Sequence, residues 1–173
     1  METQGRKDMR GWIYRAVVVV VVILLLPGIS HALTIEQRPL VGLQGVYVKV
    51  MSETKTKDAE IERLAGEMQT DVELRLRKAG IRVLTEKEST VTRGYPWLFV
   101  NVLALDGPLL VFSVRVEVME NATLARGNNA SVISWSTHGA GSVGRGNMRE
   151  IRESVSDLVD KFINDYLAAN PKK

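Results

Sequence analysis

The sequence predicts an α+β fold, a two-layer β-α-β-β-β-α sandwich whose mixed, mostly antiparallel sheet carries two helices on one face. Three observations lead there. Between Asn147 and Ala168, the residues Ile151, Val155, Leu158, Val159, Phe162, Ile163, Tyr166 and Leu167 recur at helical spacing along one side. Burying such side chains is worth roughly 1.5–3 kcal/mol each before entropy is subtracted, so this helix needs a layer to lie on. A second stripe, Ile61, Leu64, Ala65, Met68, Val72, Leu76 and Ala79, marks another one-sided helix over about Asp58–Ala79. Finally, Phe112, Val114, Val116 and Val118 alternate with Ser113, Arg115 and Glu117, the pattern of a sheet packed on one face and wet on the other. One-sided helices on a one-sided sheet make two layers.

The first 32 of the 173 residues read as an export signal rather than as part of this fold. Arg6, Lys7, Arg10 and Arg15 precede an apolar run from Ala16 to Leu26, followed by Pro27 and the small-residue pattern Ser30-His31-Ala32. The run is eleven residues, against the ~20 that a spanning helix needs, so cleavage after Ala32 is expected. Extending the run back to Trp12 gives the alternative of an uncleaved inner-membrane anchor. The expected product is periplasmic or secreted, with residues 33–42 as a linker and 43–170 as one domain. Removing Arg6, Lys7, Arg10, Arg15, Glu2 and Asp8 leaves 19 basic and 18 acidic residues, so the pI near 9.3 overstates basic character. With no basic block longer than Lys172-Lys173, there is no electrostatic footprint for nucleic acid. The absence of cysteine excludes an acylated lipoprotein cysteine, thiolate catalysis and thiolate-bound zinc. It also leaves the fold to be stabilised by its core alone.

In chain order, Pro39 and Gly42 mark a spacer, and Gly45–Val50 alternates as the first strand. Gly80 ends the first helix in the position where a left-handed backbone costs glycine nothing. Ile81–Thr85 is a second strand, completing a strand-helix-strand crossover. A polar loop, Glu86–Pro96, leads to Trp97–Leu105 and Leu109–Met119, two long strands joined through Asp106-Gly107-Pro108. After a polar connection over Glu120–Asn129, Ala130–His138 forms the fifth strand, with Ile133 and Trp135 on one side and Ser134 and Ser136 on the other. Gly139–Gly146 is a glycine-rich loop, and Asn147-Met148-Arg149-Glu150 matches a capping box opening the last helix.

The chemistry-bearing patterns are few. Gly139-Ala140-Gly141-Ser142-Val143-Gly144 satisfies G-x-G-x-x-G, but a dinucleotide unit needs a further parallel strand after the helix. A flexible connector is the simpler reading. Arg145 and Asn147 at the helix start supply the alternative of a small anionic ligand site. His138 is the one histidine after residue 32, flanked by Ser136 and Thr137, so a hydrolase-type centre would have to be built around it. Ser136 and His138 lie on one face of one strand and do not point at each other. No metal-ligand spacing exists, and no catalytic residue, metal or cofactor is expected. The aromatic residues Tyr47, Tyr95, Trp97 and Trp135 are read as core. Arg115 and Glu117, on the wet face, are the candidate binding residues.

The segments TDVELRLRKAGIRVL (Thr70–Leu84), LFVNV (Leu98–Val102), SWST (Ser134–Thr137) and REIRESVSDLVDKFINDYLAANP (Arg149–Pro171) resemble a group of uncharacterised exported bacterial proteins. The resemblance implies a bacterial origin and a shared fold and transfers no activity. By element order alone the chain is similar to the amino-terminal domain of the TolB translocation protein and to penicillin-binding-protein activator lipoproteins, an analogy of fold only. The expected function is therefore a non-enzymatic envelope binding or accessory module that meets an envelope protein through its open sheet face or an edge strand.

Overall fold

The computed structural model describes residues 32–171 apart from 55–58, 106, 145 and 146. The expected signal and Arg145 lie outside the described residues. Five strands, β1 (Val46–Thr54), β2 (Val83–Leu84), β3 (Trp97–Leu105), β4 (Leu110–Thr123) and β5 (Asn129–Val143), form one sheet in the order β2-β1-β3-β4-β5. Three helices accompany it: α1 (Ala59–Lys78), the short α2 (Glu86–Val91) and α3 (Met148–Ala169). β1 runs parallel to β2 and to β3, whereas β3, β4 and β5 form an antiparallel meander. The sheet is thus mixed, as the sequence predicts. Helix α1 packs over β1, and α3 lies beside it over β4 and β5.

The core lies between this helix pair and the sheet. Alternate residues of the strands, Val46, Val48 and Val50, Leu98, Val100 and Val102, Val114, Val116 and Val118, are buried there. They face Met68, Val72 and Leu76 of α1 and Ile151, Val155, Val159 and Phe162 of α3. Gly80 has φ +80 and closes α1 as its sequence position predicts. Gly45 is fixed by space as well as conformation, since a Cβ there would stand 2.6 Å from the Arg82 carbonyl oxygen where β1 meets the start of β2.

Six local expectations change. Residues 33–42 are not a free spacer: Arg38–Leu40 is a 3-10 turn, and Leu40 is fully buried. Asn170 clamps it, accepting from the Gly42 amide at 2.8 Å and donating to the Leu40 carbonyl at 2.8 Å, while the Tyr166 hydroxyl donates to Leu43 O at 2.8 Å. The expected loop over 86–96 contains α2, opened by a true capping box in which Thr85 Oγ1 accepts from the Glu88 amide and Glu88 accepts from the Thr85 amide. The polar stretch Glu120–Asn129 is mostly hairpin, because β4 and β5 stay paired out to Thr123 and Asn129.

The other three concern β5 and α3. Gly139–Val143 is strand, not loop. Close packing requires glycine at Gly141, where a Cβ would stand 2.9 Å from the Phe112 ring, whereas a Cβ on Gly139 would sit in ordinary contact with Leu158 and Ser154 of α3 at 3.6 and 3.7 Å. A register shift opposite Val118 and Met119 leaves Ser134 as a bulge, so Ile133 turns away from Trp135 onto the open face, where it is 54% exposed. At the start of α3 the expected capping box does not form. Asn147 makes no side-chain cap; its Nδ2 donates to the Glu150 carboxylate instead.

Candidate functional site

The face of the sheet turned away from α1 and α3 is assembled by register. Its rows across β1, β3, β4 and β5 run Tyr47–Trp97–Met119–Ile133, then Lys49–Phe99–Glu117–Ser136, then Met51–Asn101–Arg115–His138. A further row, Glu53–Leu103–Ser113–Ala140, precedes the β3–β4 turn, beyond which Leu105 pairs with Val111. This face is not uniformly polar. Met51, Leu103, Leu105, Val111 and Ile133 are all large apolar side chains at least a third exposed on it, and Leu109 in the adjoining turn extends the patch. Three of them, Leu103, Leu105 and Val111, gather at the turn end, while Met51 lies in the Asn101–Arg115 row.

A polar band crosses the middle. Arg115 and Glu117 are on the same face two residues apart, with Nη1 to Oε1 at 3.8 Å; the arginine is largely exposed and the glutamate mostly covered. Asn101 donates through Nδ2 to Glu53 Oε1 at 3.2 Å, and its Oδ1 is buried with no hydrogen-bond partner among the described residues. At the opposite end from the apolar patch, Tyr47, Trp97 and Tyr95 form an aromatic cluster with ring centroids 5.2 and 5.4 Å apart, and Tyr95 holds a strained φ of +49. Tyr95, Trp97, Met119, Glu120, Asn121 and Ser131 line a hollow of about 190 Å³ there. The predicted core role of Tyr47, Tyr95 and Trp97 is therefore replaced by a place on the open face, whereas Trp135 is buried and donates to Asp165 Oδ2 at 3.0 Å.

Of the predicted binding residues, the structure brings Arg115 and Glu117 together and separates Asn147 from them, since α3 lies on the other side of the sheet. Of the segment expected to hold a small anion, Gly139–Val143 belongs to β5, Arg145 lies outside the described residues, and the Asn147 side-chain amide donates to Glu150. His138 is exposed on the open face, directly across from Arg115. Among the described residues, no three His, Asp or Glu side chains cluster as metal ligands would.

A larger hollow, about 500 Å³, lies between the α1 and α3 helices, lined by Arg63, Glu67, Asp71, Arg149, Arg152 and Glu153 among others. Its cations are answered internally. Arg152 reaches Glu67 at 2.9 Å and Asp71 at 2.5 Å, and the hydrogen bond it donates to the Asp71 carboxylate holds the guanidinium above its ordinary pKa. Arg149 pairs with Glu153 at 2.7 Å. This is a tie between helices.

The apolar part of the open face escaped sequence reading, although one signal was present. The run WLFVNVLAL of β3 is apolar at positions of both parities, and only one parity can face the helices. No family model matches the chain. No curated protein matches it either. Among the described residues, no helix is long and apolar enough to cross a membrane.

Proposed function

We propose that the chain is an exported, non-enzymatic accessory of the bacterial envelope that binds a protein partner through the open face of its sheet. The observation that carries this reading is the concentration of exposed Leu103, Leu105, Leu109 and Val111 at one end of a face otherwise banded by Arg115, Glu117 and Lys49. Scattered exposed apolar residues are ordinary, but a contiguous group rimmed by charge marks an interaction surface. An apolar centre supplies desolvation, and the charged rim fixes orientation and rejects mismatched partners. Export is supported by the basic, apolar and small-residue segments of residues 6–32 and by the resemblance to exported bacterial proteins. An enzymatic reading centred on His138 is less well supported, because Ser136 and His138 lie side by side on one face of β5 and do not point at each other.

A photo-reactive amino acid placed at Leu103 tests the surface in cells. It is expected to yield a discrete cross-linked protein adduct, while the same group at Leu74, exposed on α1, yields none. Equal labelling from both positions, or none from Leu103, would remove the open face as the binding surface.

A further inference from the structure

The sheet ends on one side in the two-residue β2 and on the other in β5, fifteen residues long. A free edge offers a row of unpaired N–H and C=O groups, and natural proteins blunt such edges with short strands, charges, proline or bulges. β5 uses only the last device. Its sequence, NASVISWSTHGAGSV, contains no lysine, arginine, aspartate, glutamate or proline. The bulge at Ser134, the sixth residue of the strand, leaves Trp135–Val143 as nine regular residues. Among the described residues no backbone group pairs with the outer side of this run.

We infer that this edge pairs with the same edge of a second copy, antiparallel about a two-fold axis at Gly139, joining the two sheets into one. Three features fit a copy of this chain. A strand without charge can meet itself without placing like charges opposite one another, and Gly139, Ala140 and Gly141 at the centre let two backbones approach. The helix layer also matches. Because α3 lies over β4 and β5, and strands are about 4.8 Å apart, edge pairing sets the two α3 axes roughly 10 Å apart, an ordinary helix packing distance. The flank of α3 that would meet its copy is complementary to itself. Leu158 and Ser154 stand over Gly139, so Leu158, half-buried in one copy, is covered at the axis. Lys161 stands over Thr137, its Nζ 3.4 Å from Thr137 Oγ1. Glu150 lies three helical turns earlier on the same flank, and the two-fold sets Lys161 of each copy toward Glu150 of the other. The partnership is isologous and closes at two copies.

Sedimentation equilibrium of the full-length chain is expected to show a dimer. Ala140→Glu places two carboxylates beside the axis and is expected to weaken the dimer by about tenfold or more while far-ultraviolet circular dichroism stays unchanged. Because the chain has no cysteine, a single introduced thiol reports only on contact between copies. Ala140→Cys lies about 8 Å from its counterpart across the proposed axis and is expected to be joined by a short bis-thiol cross-linker. Ser131→Cys, more than about 50 Å from its counterpart in that register, is expected not to be joined. A wild-type chain that stays monomeric up to about 100 μM, far weaker than a specific dimer, overturns the inference. So does a dimer that Ala140→Glu leaves intact, or cross-linking at Ser131→Cys without cross-linking at Ala140→Cys.

Discussion

Phe162 stands at the centre of the helix-to-sheet contact, fully buried, with the rings of Trp135 and Tyr166 at 5.3 and 6.0 Å. Phe162→Ala is expected to cost about 3–5 kcal/mol, the range for emptying an aromatic core site. Lys161, next in sequence but exposed, is expected to cost under about 0.5 kcal/mol when changed to alanine. Urea midpoints of the two variants check this, and similar midpoints would place the wrong face of α3 inward. At the start of α2, the backbone amide of Thr85, then the Arg82 guanidinium and the Thr85 hydroxyl, hold the Glu88 carboxyl down at about 2. A carboxylate depressed in the folded state stabilises fully above its unfolded pKa, and that contribution is lost as pH falls toward the folded value. Glu88→Gln is therefore expected to be less stable than wild type at pH 6, with the gap closing as pH approaches about 2. Parallel urea titrations at both pH values measure it; a gap that widens in acid would contradict the cap. Gly141→Val, which forces side-chain atoms into the Phe112 ring, is expected to cost about 1–3 kcal/mol through overpacking.

At the scale of elements, α3 holds both ends of the folded chain. Its last turn binds Leu40, Gly42 and Leu43 through Asn170 and Tyr166, and Gln37 donates to Asp165 at 3.0 Å. Leu40→Ala is accordingly expected to cost about 2–5 kcal/mol, as for any emptied core leucine, whereas a residue in a spacer would cost almost nothing. Thermal or denaturant melting decides between the two. This segment was illegible in the sequence because Pro39 and Gly42 punctuate a tight packed turn in the same way as a linker. Elements with strong periodicity were legible: β3 spans the predicted Trp97–Leu105, and α1 spans Ala59–Lys78 against a predicted Asp58–Ala79. Periodicity fails where one side of the pattern is missing. Beyond Glu120 the β4–β5 hairpin carries mostly exposed or half-exposed residues, so nothing apolar alternates and the strands read as a polar connection. Over Gly139–Val143 the inward positions Gly139 and Gly141 carry no side chain, the latter because the Phe112 ring fills its space, and a strand reads as a glycine loop. The Ser134 bulge inverts the parity of everything before it, which misplaced Ile133. The Arg115–Glu117 pair was legible because its strand alternates cleanly; the apolar half of the same face was hidden in the unbroken β3 run.

Across the whole molecule, the two faces of the sheet divide the work. One face and both long helices make the core, including the Arg152 tie that joins α1 to α3, while the other face, away from those two helices, mixes apolar, aromatic and charged side chains. A binding function and an enzymatic one then predict different sensitivities on that same face. If the protein binds a partner there, Arg115→Glu with Glu117→Lys reverses the charged rim, leaves the core intact, and is expected to lower partner capture with stability near wild type. His138→Ala removes an exposed side chain two residues from Ser136 and is expected to leave folding and cellular role unchanged. The enzymatic reading reverses the order, because a catalytic centre would rest on the imidazole, and losing a positioned acid or base typically costs about 10²–10⁴-fold in rate. Both variants can be compared by complementation of a deletion strain, with circular dichroism and melting confirming that each is folded. Loss of the phenotype with His138→Ala, and its retention with the charge-reversed rim, would replace the binding module by an enzyme. The opposite result locates the function in a surface that recognises another protein.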